Sequence, residues 1–212
     1  MSIGLNVLLG HRCDARTTST LPDVLHGDSA LMQAVERHVR LAQPEYPALD
    51  KDALNARRWV FRWDDRARGP RGGGPGDGEA ALEEGWATNN PVAVNGPALL
   101  VVDMGRHACD VGTPWRWWTL TDEAIYAAVQ AVVRELARLL GSPAAIYVPD
   151  SAFAPSGARE LVLEGATLGQ IEEWLRERYG APATDPASII RRTQNKSYGF
   201  DMSETGYLKD TF

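Results

Sequence analysis

The chain has 212 residues, 44% of them hydrophobic and 24% charged, with a formal net charge of −6. This is the composition of a single globular domain that can bury a core without disulfide staples. The negative charge argues against nucleic acid or an anionic membrane as the main target, no apolar run is long enough to span a bilayer, and the apolar stretch near residue 3 lacks the form of a secretory leader, so the chain reads as cytoplasmic. Arginine outnumbers lysine 19 to 3, which reads as the coding bias of a GC-rich bacterial genome.

In chain order, Ile3–Leu9 is an apolar run of strand length. Residues 14–27 hold Thr, Ser and Pro and read as a loop. Asp28 or Ser29 is expected to cap a helix with Leu31, Val35, Val39 and Ala42 on one face, ended by Pro44 and Pro47. A further turn of helix is expected near residues 50–56. Arg58–Trp63 alternates, with Trp59, Phe61 and Trp63 on one side and arginines on the other, as a half-buried strand does. Residues 64–91 read as a long, mobile Gly/Pro-rich loop, because Gly69–Gly78 cannot pack a core.

Strands resume at Pro97–Asp103 and Pro114–Thr119. Thr121, with Asp122 and Glu123 in the first turn, starts a helix whose apolar stripe is Ile125, Val129, Val132, Leu136 and Leu139–Leu140. Gly141 and Pro143 stop it. Ala145–Val148 is a short buried strand. The last third reads as helical: Ser156–Glu164, then a helix opened by a Thr167/Gln170 capping box and stopped at Tyr179-Gly180, then a short one from Asp185 through Arg192. Residues 194–212, polar with scattered aromatics, read as a surface-wrapping tail. The expectation is one domain over 1–212, of α/β or α+β class, with helices packed on a mixed sheet of about five strands.

The most specific feature is a repeated tetrapeptide. Both cysteines and two of the four histidines fall in His11-Arg12-Cys13-Asp14 and His107-Ala108-Cys109-Asp110, each directly after an apolar strand. Residues i and i+2 of an extended segment point the same way. If the two strands are neighbours, His11, Cys13, His107 and Cys109 converge on one edge of the sheet as a Cys2His2 set of the kind that holds zinc. The competing readings are two small buried thiols, a Cys13–Cys109 disulfide, and a Cys nucleophile with His as base but no third, orienting group.

Asp103 and Asp150 each end an apolar strand. At the carboxyl ends of a parallel sheet they would be site residues; in any sheet they can equally cap a turn. No nucleophile elbow surrounds Ser151, and no Gly-x-Gly-x-x-Gly or Walker loop is present. Arg57–Arg71 carries six arginines among Trp59, Phe61 and Trp63. That mixture can grip single-stranded nucleic acid, but an outer strand with solvated arginines suits this acidic chain better.

Trp115, Trp117 and Trp118 cannot all face one side of a single strand. With Asp103 and Asp150 they are the candidates for a partner surface, since tryptophan is enriched at binding hot spots; helices on both faces of the sheet would hide them instead. The function expected is therefore a non-catalytic cytoplasmic protein-binding module with a basic protein partner, of the kind that neutralises a bacterial toxin. The alternative is a small metal-dependent enzyme built on the paired H-x-C-D turns.

Overall fold

The computed structural model describes residues 4–45, 58–62, 77–88, 92–150, 157–188 and 206–212. The expected organisation of helices packed on a sheet is what they form. The sheet has seven strands rather than about five, and every pairing in it is antiparallel. Its order is β2 (Val60–Arg62), β3 (Val92–Asn95), β4 (Val101–Met104), β5 (Ala108–Arg116), β1 (Gly4–Gly10), β6 (Ala144–Asp150), β7 (Leu208–Thr211). β1 lies deep in the sheet because its side chains are apolar on both faces: Leu5, Val7, Leu8 and Leu9 are all buried. A strand buried on both sides reads as a continuous apolar run.

Alternation sorts the sheet residues into two cores. Leu5, Val7, Leu9, Val102, Met104, Cys109, Val111, Ala145 and Tyr147 belong to the larger one. It is closed by α3 (Ser29–Glu45), through Leu31 and Val35, and by α5 (Glu123–Leu140), through Val129, Val132 and Leu136. Leu8, Ala108, Ile146 and Val148 face the other way, under α6 (Gly157–Leu163) and α7 (Leu168–Tyr179). Helices thus cover both faces of the sheet centre. Burying about ten such side chains is the main source of stability, at roughly 1.5–3 kcal/mol each before conformational entropy is subtracted.

The strongest helix signals land where expected. Asp122, not Thr121, caps α5, accepting from the amides of Ala124 and Ile125, and Gly141 ends it with a left-handed φ of 71°. Thr167 and Gln170 form the reciprocal capping box of α7. Asp28 caps α3 by accepting from Leu31 N at 2.8 Å.

Several segments differ from expectation. The stretch read as loop at 14–27 is two short helices, α1 (Ala15–Ser19) and α2 (Leu21–Gly27). Asp14 caps the first and Pro22 sits in the opening turn of the second, which is where an acid and a proline favour helix. Within 64–91, Asp77–Ala87 is a helix, α4, which buries Leu82 and Trp86 at i, i+4 spacing; residues 64–76 lie outside the described set, as do the helix expected near 50–56 and Arg192. The strand expected over Pro114–Thr119 ends at Arg116, and Trp117–Thr121 is a 3-10 turn. The described end of the 194–212 tail is β7, an edge strand pairing with β6.

Tight turns place the strand ends. Between β4 and β5 the chain reverses over Gly105–His107, with Gly105 N donating to Ala108 O at 2.9 Å. A Cβ on Gly105 would lie 2.2 Å from the carbonyl oxygen of Val162 on α6. Only glycine lets the helix backbone come this close to the turn.

Candidate functional site

The two H-x-C-D segments do meet. β1 and β5 are neighbours, with Leu9 opposite Cys109 and Gly10 opposite Ala108. Past the last rung, His11 N donates to His107 O at 3.0 Å. The convergence foreseen from the repeat is therefore real, but the four side chains do not share one point. Cys109 sits on the inner face of β5, fully buried in the large core beside Leu9 and Met104. Cys13 is half-buried, and His107 points outward and is exposed.

His11 is buried, and both of its ring nitrogens are spent on the backbone. Cys13 N–H donates to Nδ1 at 3.3 Å, which leaves the ring proton on Nε2, 3.0 Å from Gly105 O as its acceptor. Burial holds its pKa below the ordinary imidazole value, partly offset by those backbone bonds. This histidine pins the chain leaving β1 to the β4–β5 turn.

The donor set does not fit a metal. A ligating imidazole offers a free lone pair and a ligating cysteine a thiolate. Here the lone pair of His11 is occupied by Cys13 N–H, Cys109 is fully buried in the large core, and His107 stands exposed outside it. Among the described residues no group of three or more His, Cys, Asp and Glu side chains is placed to hold an ion. The zinc expectation is corrected on that geometry. The same facts count against a Cys–His nucleophile, which requires a thiolate beside a free base.

The matching aspartates also have unlike roles. Asp14 is exposed and caps α1. Asp110 is buried on the opposite face of the sheet, where its carboxylate accepts from Asn6 Nδ2 at 2.8 Å and lies 3.4 Å from Arg159 Nε. The tetrapeptide likeness does not extend to structure.

The antiparallel sheet separates the two strand-end aspartates. Asp103 stands in register with Asp110, and through it with Leu8 on β1, while Asp150 is opposite Gly4. Four residues of strand, about 13 Å, lie between those positions. Asp103 is half-buried and bonded to Arg159 Nη2 at 2.8 Å, so its carboxylate secures α6 to the sheet. For Trp115 and Trp117 the expectation of a partner surface is corrected too. Trp115 and Trp117 are 1% and 2% exposed and belong to the core, and Trp118 follows them in the 3-10 turn. Trp115 Nε1–H donates to His38 Nε2 at 3.0 Å, an interaction wholly inside the protein.

What the junction does build is a cleft of about 290 Å³. Its lining comes from the segment after β1 (His11 to Asp14), the β4–β5 turn (Arg106, His107) and α4 (Glu83, Trp86). Trp86 is fixed by its Nε1–H donating to Met104 O at 3.1 Å. Arg12, Arg106 and His107 are exposed at the rim. Arg106 reaches Glu83 at 3.9 Å, a loose contact for an ion pair. Among the described residues no ion pair holds Arg12. Sequence reasoning missed Arg12, Glu83, Trp86 and Arg106; the available signals were the Leu82/Trp86 spacing and the tight glycine turn before Arg106.

No protein-family model matches the chain, and no curated protein matches it. Among solved structures it is similar to the Pseudomonas aeruginosa T6SS protein PA0821, at 14% identity and a TM-score of 0.31, over 76% of this chain and 45% of that one. The chain thus spans less than half the length of that protein, and a likeness this loose carries no argument about function.

Proposed function

We propose that the chain is a non-catalytic protein-binding module that recognises its partner with the rim of this cleft. One observation carries the reading. The groups at the junction that could do chemistry are committed to the fold, while Arg12 and His107 stand exposed at its mouth. A general base has to reach the proton it removes, and His11 has no lone pair left for one. Exposed arginine beside a fixed aromatic wall is what recognition uses.

The net charge of −6 favours a partner that is basic overall, through long-range attraction. Neutralising a toxin in a bacterial cytoplasm is the role we assign on size and acidity. The test is co-expression with the products of the neighbouring genes, then calorimetry on any pair that co-elutes. The reading expects a one-to-one complex that weakens at least about tenfold, or 1.4 kcal/mol, in the Arg12→Glu, His107→Glu double variant. No complex with any of them, or a complex indifferent to those changes, would overturn it.

A further inference from the structure

His11 closes a turn around its own neighbour. Its Nδ1 accepts from Cys13 N–H at 3.3 Å, two residues on, as an Asn or Asp side chain does in an Asx turn. Arg12 is the residue enclosed. The near end of this turn is anchored to the β4–β5 hairpin, through Nε2–H to Gly105 O and His11 N to His107 O, both at 3.0 Å. The far end runs into α1, which Asp14 caps. Between these anchors Arg12 is exposed on the cleft lining, and among the described residues no ion pair holds it. The ring of His11 therefore sets the backbone from which Arg12 projects.

An imidazole can hold such a turn only while Nδ1 keeps its lone pair. A second proton makes Nδ1 a donor facing the Cys13 N–H donor. The bond to Gly105 O survives, because Nε2 carries a proton in both states. The charged and titratable groups around the ring are Arg12, Cys13 and Asp14 on its own segment, Arg106 and His107 on the hairpin, and Glu83 on α4. Neither acid compensates a charged ring. Asp14 Oδ1 accepts from Thr17 N and Thr17 Oγ1, both at 2.7 Å, and Glu83 lies toward Arg106 at 3.9 Å. Burial lowers the pKa of the ring from its ordinary 6.5, the carbonyls of Gly105 and Ala108 offset this in part, and a charge on His107 opposes a second one here. A lowered histidine is neutral in the fold above its ordinary value and charges only as the pH falls below it.

Resting on the reading above, we propose that His11 is an acid-opened clip on the partner surface: the neutral ring holds Arg12 in its binding position, and a proton on Nδ1 breaks the turn and lets Arg12 go.

The experiment is an NMR titration of the isolated full chain from about pH 7.5 to about pH 5, following the His11 ring nitrogens and the Cys13 amide. At the upper end the ring proton should sit on Nε2. Ring and amide should then share one step below pH 6.5, across which the protection of the Cys13 amide against hydrogen exchange falls at least about tenfold. His11→Asn supplies Oδ1 as acceptor for the same turn and does not titrate, so its Cys13 amide should show no step. Unmoved amides in the central strands establish that the fold persists. With the partner bound, the wild type should lose at least about tenfold more affinity than His11→Asn between the two pH values.

A Cys13 amide that ignores the titration of the ring, a ring still neutral at about pH 5, or the same step in His11→Asn would each overturn the proposal. The two readings fail separately. A complex that weakens in acid equally with and without His11→Asn sinks the clip and leaves protein binding in place. A shared step in ring and amide while no partner complex forms does the reverse.

Discussion

His38 gives the sharpest test of the core. It lies on the apolar stripe of α3 and is fully buried. Its Nε2 accepts from Trp115 Nε1–H, so the proton of the neutral ring sits on Nδ1, which has no partner among the described residues. Burial lowers its pKa to about 4 from an ordinary 6.5. Between those values the unfolded chain binds a proton that the fold refuses, so stability is full above the ordinary value and falls as the pH drops. Linkage gives a loss of about 2 kcal/mol on going from about pH 7.5 to about pH 5, and about 3 kcal/mol once the pH is below both values. Urea unfolding at the two pH values measures it. His38→Gln keeps an acceptor for the indole and does not titrate, so the wild type should lose about 2 kcal/mol more than the variant. His11, also lowered by burial, acts in the same direction but is common to both and cancels. A difference under about 0.5 kcal/mol would refute the reasoning, since it would mean that the ring charges without cost inside the core.

Gly105→Ala should destabilise by about 3 kcal/mol, read as a lower urea midpoint, because the new methyl meets a helix carbonyl rather than a flexible side chain. Asp210→Ala should cost about 1–3 kcal/mol by the same assay: its carboxylate accepts from Tyr147 Oη at 2.8 Å and Gln130 Nε2 at 2.9 Å, and losing it leaves a buried hydroxyl unpaired. Native protein should react with Ellman's reagent at least about tenfold more slowly than a free thiol near neutral pH, since burial raises both cysteines, and should yield its full thiol content only after unfolding.

The helices with strong local chemistry were legible. α5 carries a six-residue apolar stripe between an acidic cap and a glycine stop, and α7 has its capping box. β1, β2 and β6 showed as short apolar or alternating runs. α1 and α2 were hidden because Thr, Ser and Pro signal loop and helix start alike. β7, with sequence Leu-Lys-Asp-Thr, owes its strand to pairing with β6 and to the acceptors of Asp210, neither of which is local. At the site, the repeat foretold that residues 11 and 107 meet. It could not foretell that the chain leaves β1 with the His11 ring turned into the backbone, or that Cys109 points into the core. Strand direction was equally invisible, and it alone decides that Asp103 and Asp150 lie at different ends of the sheet. The tryptophans misled because an aromatic cluster looks the same whether a helix or a partner covers it.

The position of β1 has a kinetic consequence. It is flanked by β5 and β6, so 104 positions separate Asn6 from its bonded neighbour Asp110, and 132 separate Gly10 from Ser142. A ribosome releases this greasy segment long before either flank exists. The nascent chain must carry an unpaired apolar strand until the sequence through residue 150 has emerged, and then close its largest loops last. Slow assembly is the expected consequence of that ordering of the strands rather than of any weakness of the finished core.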